Sequence, residues 1–135
     1  MRLNFIRQRA REQGKVVVVF FCAGGAERSY AAEQGFRKLL KRLQLSHKFY
    51  VWHYGWQGIN PRLVASVVRA ADFVVPVGLD SRAAMSNVIE TLRVKPVLLK
   101  PDFHRSGGLL SVKNFDDVLR PIAKARPELG IRPKH

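Results

Sequence analysis

Residues 15–29 read KVVVVFFCAGGAERS, and this stretch decides the fold. Its run of valines and phenylalanines is typical of a strand that is buried on both faces, as in the interior of a parallel sheet. The apolar run stops at Cys22, where small residues begin. The residues from Ser29 to Leu43 then show a helical apolar stripe made of Phe36, Leu39, Leu40 and Leu43. The stretch therefore predicts a strand, a tight loop and a helix.

The same alternation continues along the chain. The pattern predicts strands at 47–54, 72–77 and 95–100. It predicts a helix that opens at Asn60-Pro61, one capped by Asp80 or Ser81, and a last helix over 115–125 that is capped by Asn114. The inner stripe of the helix after Asn60 is predicted to contain Leu63, Val64, Val67, Val68 and Ala71. Strands and helices that alternate in this way predict an α/β fold, a three-layer α/β/α sandwich around a four-stranded parallel sheet, which is flavodoxin-like.

The length and composition of the chain fit a single domain. The chain has 135 residues, of which 47% are hydrophobic, so it can bury a core of its own. We expect an N-terminal basic helix over 1–14, with Leu3, Ile6 and Ala10 inward, a core over 15–125 and a basic tail over 126–135. A single cysteine excludes an internal disulfide and favours a reducing compartment, so we expect a cytoplasmic protein. No apolar run approaches the length of about 20 residues that spans a bilayer, so no membrane partner is expected.

The charge predicts an anionic partner. Lys and Arg number 24 against 10 Asp and Glu, which gives a formal net charge of +14. Such a surface attracts nucleic acid, acidic proteins and phosphorylated molecules alike. The basic residues are spread along the chain and no known nucleic-acid-binding motif accompanies them. Nucleic acid therefore stays one candidate partner beside a phosphorylated protein or a small phosphate ester.

The loop after the first strand predicts a phosphate cradle. Its small residues allow the backbone N–H groups to point inward around an anion, next to the N-terminus of a helix. The predicted cradle consists of Ala23, Gly24, Gly25, Ala26, Glu27 and Arg28. Arg28 can close it with two parallel hydrogen bonds, and Ser29 can donate its hydroxyl proton to the sulfur of Cys22. A thiol in this position is expected to ionise more readily than a free cysteine, which makes Cys22 a candidate nucleophile.

These residues resemble the low-molecular-weight protein tyrosine phosphatase family, whose pattern is a strand, Cys-x5-Arg-Ser and a helix. The segments ADFVVPVGLDSRAAM and KPDFHRSGG are similar to later parts of that family, and the likeness covers about residues 15–125. The resemblance implies a phosphocysteine on Cys22, and Asp102 as the acid that protonates the leaving oxygen. Asp80, expected first of all as a helix cap, is the reserve candidate for this acid. It also implies Phe103 as a wall of the substrate pocket, and the glycine-flanked Trp56 is a second candidate wall.

The sequence departs from the family at several points. Gly25 stands where the family usually has Asn, Glu27 puts a negative charge in the loop, and Pro101-Asp102 inverts the family's Asp-Pro. Two alternative functions therefore stay open. The chain is distantly similar to the phosphocarrier IIB components of sugar phosphotransferase systems, and it could be a phosphate or nucleic-acid binder without catalysis. His47 and His53 have no partner at metal-ligand spacing, so we expect no metal and no cofactor.

Overall fold

A computed structural model describes residues 8–24, 27–93, 96–99, 101 and 112–131. The four strands are β1 (Val16–Cys22), β2 (Phe49–Gly55), β3 (Phe73–Pro76) and β4 (Val97–Leu98). The helices are α1 (residues 8–12), α2 (Glu27–Arg42), α3 (Pro61–Ala70), α4 (Leu79–Leu92) and α5 (Val112–Ala125). Short 3-10 turns at Ser46–Lys48 and Pro127–Leu129 complete the described elements.

The strands form one parallel sheet in the order β2-β1-β3-β4. The chain passes from β1 to β2 on one side and then crosses to β3 on the other side, so the strand order reverses beside β1. Ligands in open parallel sheets bind at the carboxyl ends of the strands at such a reversal. Helices cover both faces of the sheet, and the predicted three-layer α/β/α sandwich is confirmed.

Two apolar layers sandwich β1, because its alternate residues point to opposite faces. Val16, Val18, Phe20 and Cys22 pack under α2 and α5. Val17, Val19 and Phe21 pack under α3 and α4, together with Ala10 of α1. All seven residues of β1 are buried, which explains why the sequence of this strand shows a continuous apolar run instead of alternation.

Close packing fixes α2, the helix that carries Arg28 and Ser29. Gly35 lies against the ring of Phe115 on α5, and a Cβ atom at position 35 would come within 2.1 Å of Cζ of that ring. Phe115 itself is buried in the layer between α2 and the sheet. The absence of a side chain at Gly35 therefore lets α2 and α5 approach each other directly.

Three element predictions were wrong in detail. Helix α4 begins at Leu79 after Gly78, which makes no side-chain cap, so neither Asp80 nor Ser81 is the N-cap. Helix α5 is already formed at Val112, which places Asn114 inside the helix instead of at its cap. Leu63 is exposed, because the first turn of α3 lies at the carboxyl edge of the sheet, where no further layer covers it.

The other differences are shifts of boundaries. Strand β2 begins two residues later than predicted, after the 3-10 turn, and β4 is reduced to Val97–Leu98. The predicted cap at Asn60 is confirmed, since its side chain accepts a hydrogen bond from the backbone N–H of Arg62. Pro76 is the last residue of β3, as expected for a residue that cannot donate to a ladder. Leu3 and Ile6, predicted to face inward, lie outside the described residues.

The described residues after α5 pack against the sheet. Leu129 is buried in the α2–α5 layer, and its carbonyl accepts a hydrogen bond from the ammonium group of Lys48. Arg126 pairs with Asp72 at 3.2 Å, and the other carboxylate oxygen of Asp72 accepts the N–H of Val17. Residues 126–131 therefore pack on the core near the amino ends of β1 and β3.

Within the described residues, no helix is both long and apolar enough to cross a membrane.

Candidate active site

Backbone hydrogen bonds hold the end of β1 from both neighbouring strands. The carbonyl of Cys22 accepts the N–H of Trp56 at 3.1 Å, and the carbonyl of Ala23 accepts the N–H of Gln57 at 2.8 Å. On the other side, the carbonyl of Phe21 accepts the N–H of Val77 at 2.7 Å. The point at which the chain leaves the sheet is therefore fixed on both sides.

The thiol of Cys22 lies beside the first turn of α2. Its Sγ is 3.1 Å from Oγ of Ser29 and 3.7 Å from the carbonyl oxygen of Gly24. Both Cys22 and Ser29 are buried. A neutral thiol can donate to either oxygen, whereas a thiolate can accept a hydrogen bond from the serine hydroxyl. The Ser29 hydroxyl and the N-terminus of α2 thus both lie beside the sulfur.

A small cavity opens above the thiol. It has a volume of about 300 Å³ and is lined by Cys22, Ala23, Gly24, Arg28, Val77 and Asp80. The residues come from the loop after β1, the first turn of α2 and the loop between β3 and α4. The structure therefore brings four of the predicted site residues, Cys22, Ala23, Gly24 and Arg28, around one space.

Gly78 lies between Val77 and Asp80, two residues that line this cavity. Its φ angle is +104°, which L side chains rarely adopt. A Cβ atom at this position would lie 2.9 Å from Oδ1 of Asp80 and 3.6 Å from Nη1 of Arg28. The carboxylate and the guanidinium therefore both border the space directly above Gly78. Asp80 also accepts the backbone N–H of Ser81 at 2.8 Å, which fixes its carboxylate in the first turn of α4.

Trp56 is joined to the same turn of α4. Its indole N–H donates to Oγ of Ser81 at 3.0 Å, and the Ser81 hydroxyl is buried. The indole packs with the half-buried aromatic side chains on the α3–α4 face of the sheet. Trp56 is not among the described residues that line the cavity, so its role as a pocket wall stays a prediction.

The rest of the predicted site falls outside the described residues. This applies to Gly25 and Ala26 of the loop and to Asp102 and Phe103, and the backbone of Glu27 is described only as the start of α2. Pro101, which directly precedes Asp102, is described and buried. Its carbonyl accepts a hydrogen bond from Nη2 of Arg82 at 3.3 Å. The segment that carries Asp102 therefore starts beside α4, whose first turn lines the cavity.

Sequence reasoning missed Gly78, Val77 and Ser81. Val77 and Ser81 gave no signal, because a buried valine after a strand and a serine in a first turn are common. Gly78 did give one, since a glycine between a strand and a helix often marks a backbone conformation that other residues avoid. Asp80 was predicted only as a cap and a reserve acid, and the structure places it in the wall of the cavity.

Comparison with solved structures supports the fold. YfkJ from Bacillus subtilis aligns with a TM-score of 0.60 at 14% sequence identity, over 83% of this chain and 97% of that chain. A protein tyrosine phosphatase from Entamoeba histolytica, crystallised with Hepes in its active site, aligns with a TM-score of 0.53 at 17% identity, over 86% of this chain and 99% of that chain. No protein-family model and no curated protein matches the sequence.

These alignments span nearly the whole of both solved chains, so the likeness is one of complete domains. At identities below a fifth, they establish a shared fold. The chain thus has the α/β/α architecture of a protein tyrosine phosphatase, as the resemblance of its first loop implied.

The first prediction concerns Gly78. Replacing it by Ala should lower the free energy of unfolding by about 2 kcal/mol, because a strained backbone angle and a contact with Asp80 add together. Gly14→Ala is the matched control: its φ is +67°, and a Cβ atom there meets nothing within 4 Å. It should lose only about 1 kcal/mol.

Urea unfolding measures the free energy of unfolding of both variants. Inorganic phosphate should raise the melting temperature of Gly14→Ala as it does for the unchanged protein, and should raise that of Gly78→Ala less. Equal losses of stability together with equal phosphate effects would contradict the role assigned to Gly78.

Proposed function

We propose that this protein hydrolyses phosphate monoesters through a phosphocysteine on Cys22. The observation that carries the proposal is that Cys22 and Arg28 line one small cavity, with the Ser29 hydroxyl 3.1 Å from the sulfur of Cys22. The cavity lies at the carboxyl end of β1, next to the N-terminus of α2, where backbone N–H groups favour a bound anion.

In the first step, the thiolate of Cys22 attacks the phosphorus atom. A bond forms between sulfur and phosphorus while the bond between phosphorus and the ester oxygen breaks. Charge is spread over the three equatorial oxygens in this transition state, and a planar guanidinium can hold two of them at once. Arg28 is therefore assigned the binding of these oxygens, together with the N–H groups of the loop.

The leaving oxygen requires a proton as the ester bond breaks. Asp102 is the predicted donor, by resemblance, and it directly follows Pro101, whose carbonyl accepts a hydrogen bond from Arg82 of α4. Asp80 is the alternative, because it is the carboxylate that lines the cavity among the described residues.

In the second step, water attacks the phosphocysteine. The carboxylate that gave up its proton takes one from this water, the sulfur–phosphorus bond breaks, and inorganic phosphate leaves. The thiolate that departs is stabilised by the hydroxyl of Ser29. The cycle needs no metal or cofactor, and it balances with one water consumed for each ester.

The substrates are a phosphorylated protein or a small phosphate ester. An aryl ester is favoured because the fold is shared with a protein tyrosine phosphatase. The hydrogen bond from Trp56 to Ser81, the residue after Asp80, supports Trp56 as a wall for its ring. Turnover of 4-nitrophenyl phosphate is therefore the first assay.

We predict that Cys22→Ser abolishes this turnover, since the hydroxyl is a far weaker nucleophile than a thiolate. Arg28→Lys should lower kcat/KM about 100-fold or more, because an ammonium group cannot make the paired contact to two oxygens. Arg69→Lys serves as the matched control, since Arg69 is exposed in the last turn of α3, and it should retain normal rates.

The same assay separates the alternatives. Near-normal rates for Arg28→Lys would contradict the role of Arg28. A stable phosphocysteine without release of phosphate would indicate a carrier instead of a hydrolase. Absence of any reaction in the unchanged protein, with binding to nucleic acid that weakens as salt is raised, would indicate a binder without catalysis.

Two esters whose leaving groups differ in acidity test which carboxylate is the proton donor. Asp102→Asn should slow phenyl phosphate about 100-fold and slow 2,4-dinitrophenyl phosphate much less, because dinitrophenolate leaves without a proton. With Asp102 as the acid, Asp80→Asn should affect both esters alike, because Asp80 then acts only on Arg28 and the cavity. If the selective loss on phenyl phosphate occurs in Asp80→Asn instead, Asp80 is the acid.

A further inference from the structure

A cluster of charged side chains joins α2 to β2, and none of its members is among the described residues that line the cavity. Its centre is Glu33 in the second turn of α2, whose side chain is only 8% exposed. Oε1 of Glu33 lies 3.1 Å from Nδ1 of His53 on β2, and Oε2 lies 3.4 Å from Nε of Arg37 on α2. The side-chain amide of Gln34 also donates to Oε2, at 3.0 Å. We call Glu33, His53 and Arg37 the α2–β2 clamp.

The clamp reaches β2 at two points. His53 belongs to this strand, and Nη2 of Arg37 donates to the carbonyl of Val51, two residues earlier, at 2.6 Å. The ring of His53 also lies edge-on to that of Tyr30 in the first turn of α2, with 5.1 Å between their centroids. Tyr30, Glu33 and Arg37 follow each other at three and four residues, so they lie along one face of α2. This face of the helix is therefore tied to the strand over two turns.

The apolar contacts of α2 do not replace the clamp. They are made by the buried side chains of Ala32, Phe36, Leu39 and Leu40, which pack the helix on the sheet. Apolar attraction has no preferred direction, whereas a hydrogen bond does, so apolar packing specifies the placement of a helix less sharply. A buried carboxylate is costly unless its partners stay in place. The contacts of Glu33 therefore favour one placement of α2 over others with similar apolar packing.

The placement of α2 decides where the Ser29 hydroxyl lies. Ser29 comes four residues before Glu33, so the two share one face of the helix, and both are buried. Oγ of Ser29 is 3.1 Å from Sγ of Cys22. A rotation or a shift of α2 would change this distance.

Strand β2 holds the backbone of the same cysteine. His53 stands three residues before Trp56, whose N–H donates to the carbonyl of Cys22 at 3.1 Å. The side chain of Cys22 is thus tied to α2 through Ser29, and its backbone is tied to the end of β2. The contact between Glu33 and His53 joins these two elements, so the contacts form a closed chain that starts and ends at the thiol residue.

We propose that Glu33 is a positioning residue, which acts by holding the Ser29 hydroxyl beside the sulfur of Cys22. This inference deepens the proposed function and rests on it for the reaction itself. The carboxylate of Glu33 takes no part in a bond that forms or breaks, and its effect passes through Ser29.

The test compares two carboxylates that each use both oxygens. Glu33→Gln keeps the size of the side chain but leaves one acceptor oxygen where the clamp uses two. Asp72→Asn is the matched control, because Asp72 bonds Arg126 and the N–H of Val17 at the amino ends of the strands, whereas Cys22 ends β1 at the other edge. Urea unfolding should show a loss of stability in both variants, so stability alone does not separate them.

Turnover of 4-nitrophenyl phosphate should separate them. Glu33→Gln should lower kcat/KM about tenfold, because a small misplacement of a group in the site costs much of the rate. Asp72→Asn should stay within about twofold of the unchanged protein, since its contacts lie at the far edge of the sheet.

Combination with Ser29→Ala shows whether the effect passes through the serine. In a chain that already lacks this hydroxyl, Glu33→Gln should cost less than about threefold, because the contact that it positions is gone. Asp72→Asn should have the same small effect with and without the hydroxyl. An equal tenfold cost of Glu33→Gln in both backgrounds would overturn the inference, and so would a normal rate for Glu33→Gln alone.

Alkylation by iodoacetamide at pH 7 keeps the two proposals apart, because it needs no turnover. Cys22 is the single cysteine of the chain, so the reaction reports on this sulfur alone. Ser29→Ala should change the alkylation rate about fivefold, as expected for the loss of one hydrogen bond, and Glu33→Gln should change it about threefold or more in the same direction. Asp72→Asn should leave the rate within about twofold.

The outcomes of the two assays are distinct. If the unchanged protein hydrolyses nothing while alkylation follows this pattern, the proposed hydrolysis fails and the positioning of Ser29 by Glu33 stands. If either Glu33→Gln or Ser29→Ala leaves the alkylation rate unchanged, the inference is overturned, whether or not the protein is a phosphatase.

Discussion

The arrangement depends on how the end of β1 is held. Strand β1 is buried on both faces and hydrogen-bonded to β2 on one side and β3 on the other. The residues that follow β2 and β3 add two further hydrogen bonds to the end of β1, which the N–H groups of Trp56 and Val77 donate. Cys22 therefore has a fixed backbone at the point where the chain turns into α2. The proposed reaction would need such a support, because a small displacement of an attacking atom costs much of the rate.

Two helices then direct their N-termini toward the same space. Helix α2 brings Arg28 and Ser29 to the thiol, and α4 brings Asp80 after the positive φ of Gly78. The close contact at Gly35 keeps α2 near α5 and so sets how far its first turn reaches. The packing of the fold and the chemistry of the site are thus linked through a few positions at which a side chain would not fit.

The sequence predicts the sheet well, for a physical reason, and it places Cys22 and Arg28 in the loop and helix that follow the central strand. A continuous run of β-branched residues has few structures available other than a doubly covered strand, and small residues after it permit one kind of turn. The start of α4 was harder to predict, because Asp80 and Ser81 have the side chains of a cap while Gly78 has the backbone freedom that the turn needs. The helical period placed Leu63 in the inner stripe, but period alone does not show where the sheet beneath a helix ends. The wall formed by Val77 and Asp80 depends on the β1–β3 pairing, which brings together residues that are distant in sequence.

The central claim is that Cys22 and Arg28 hold one phosphoryl group between them. A crystal structure of the protein with orthovanadate tests this directly, because vanadate adopts the trigonal-bipyramidal geometry of the transferred group. The account predicts vanadium bonded to Sγ of Cys22, with two equatorial oxygens held by the guanidinium of Arg28 and the remaining contacts made by loop N–H groups. Vanadate bound elsewhere, or Arg28 turned away from an anion on Cys22, would contradict it.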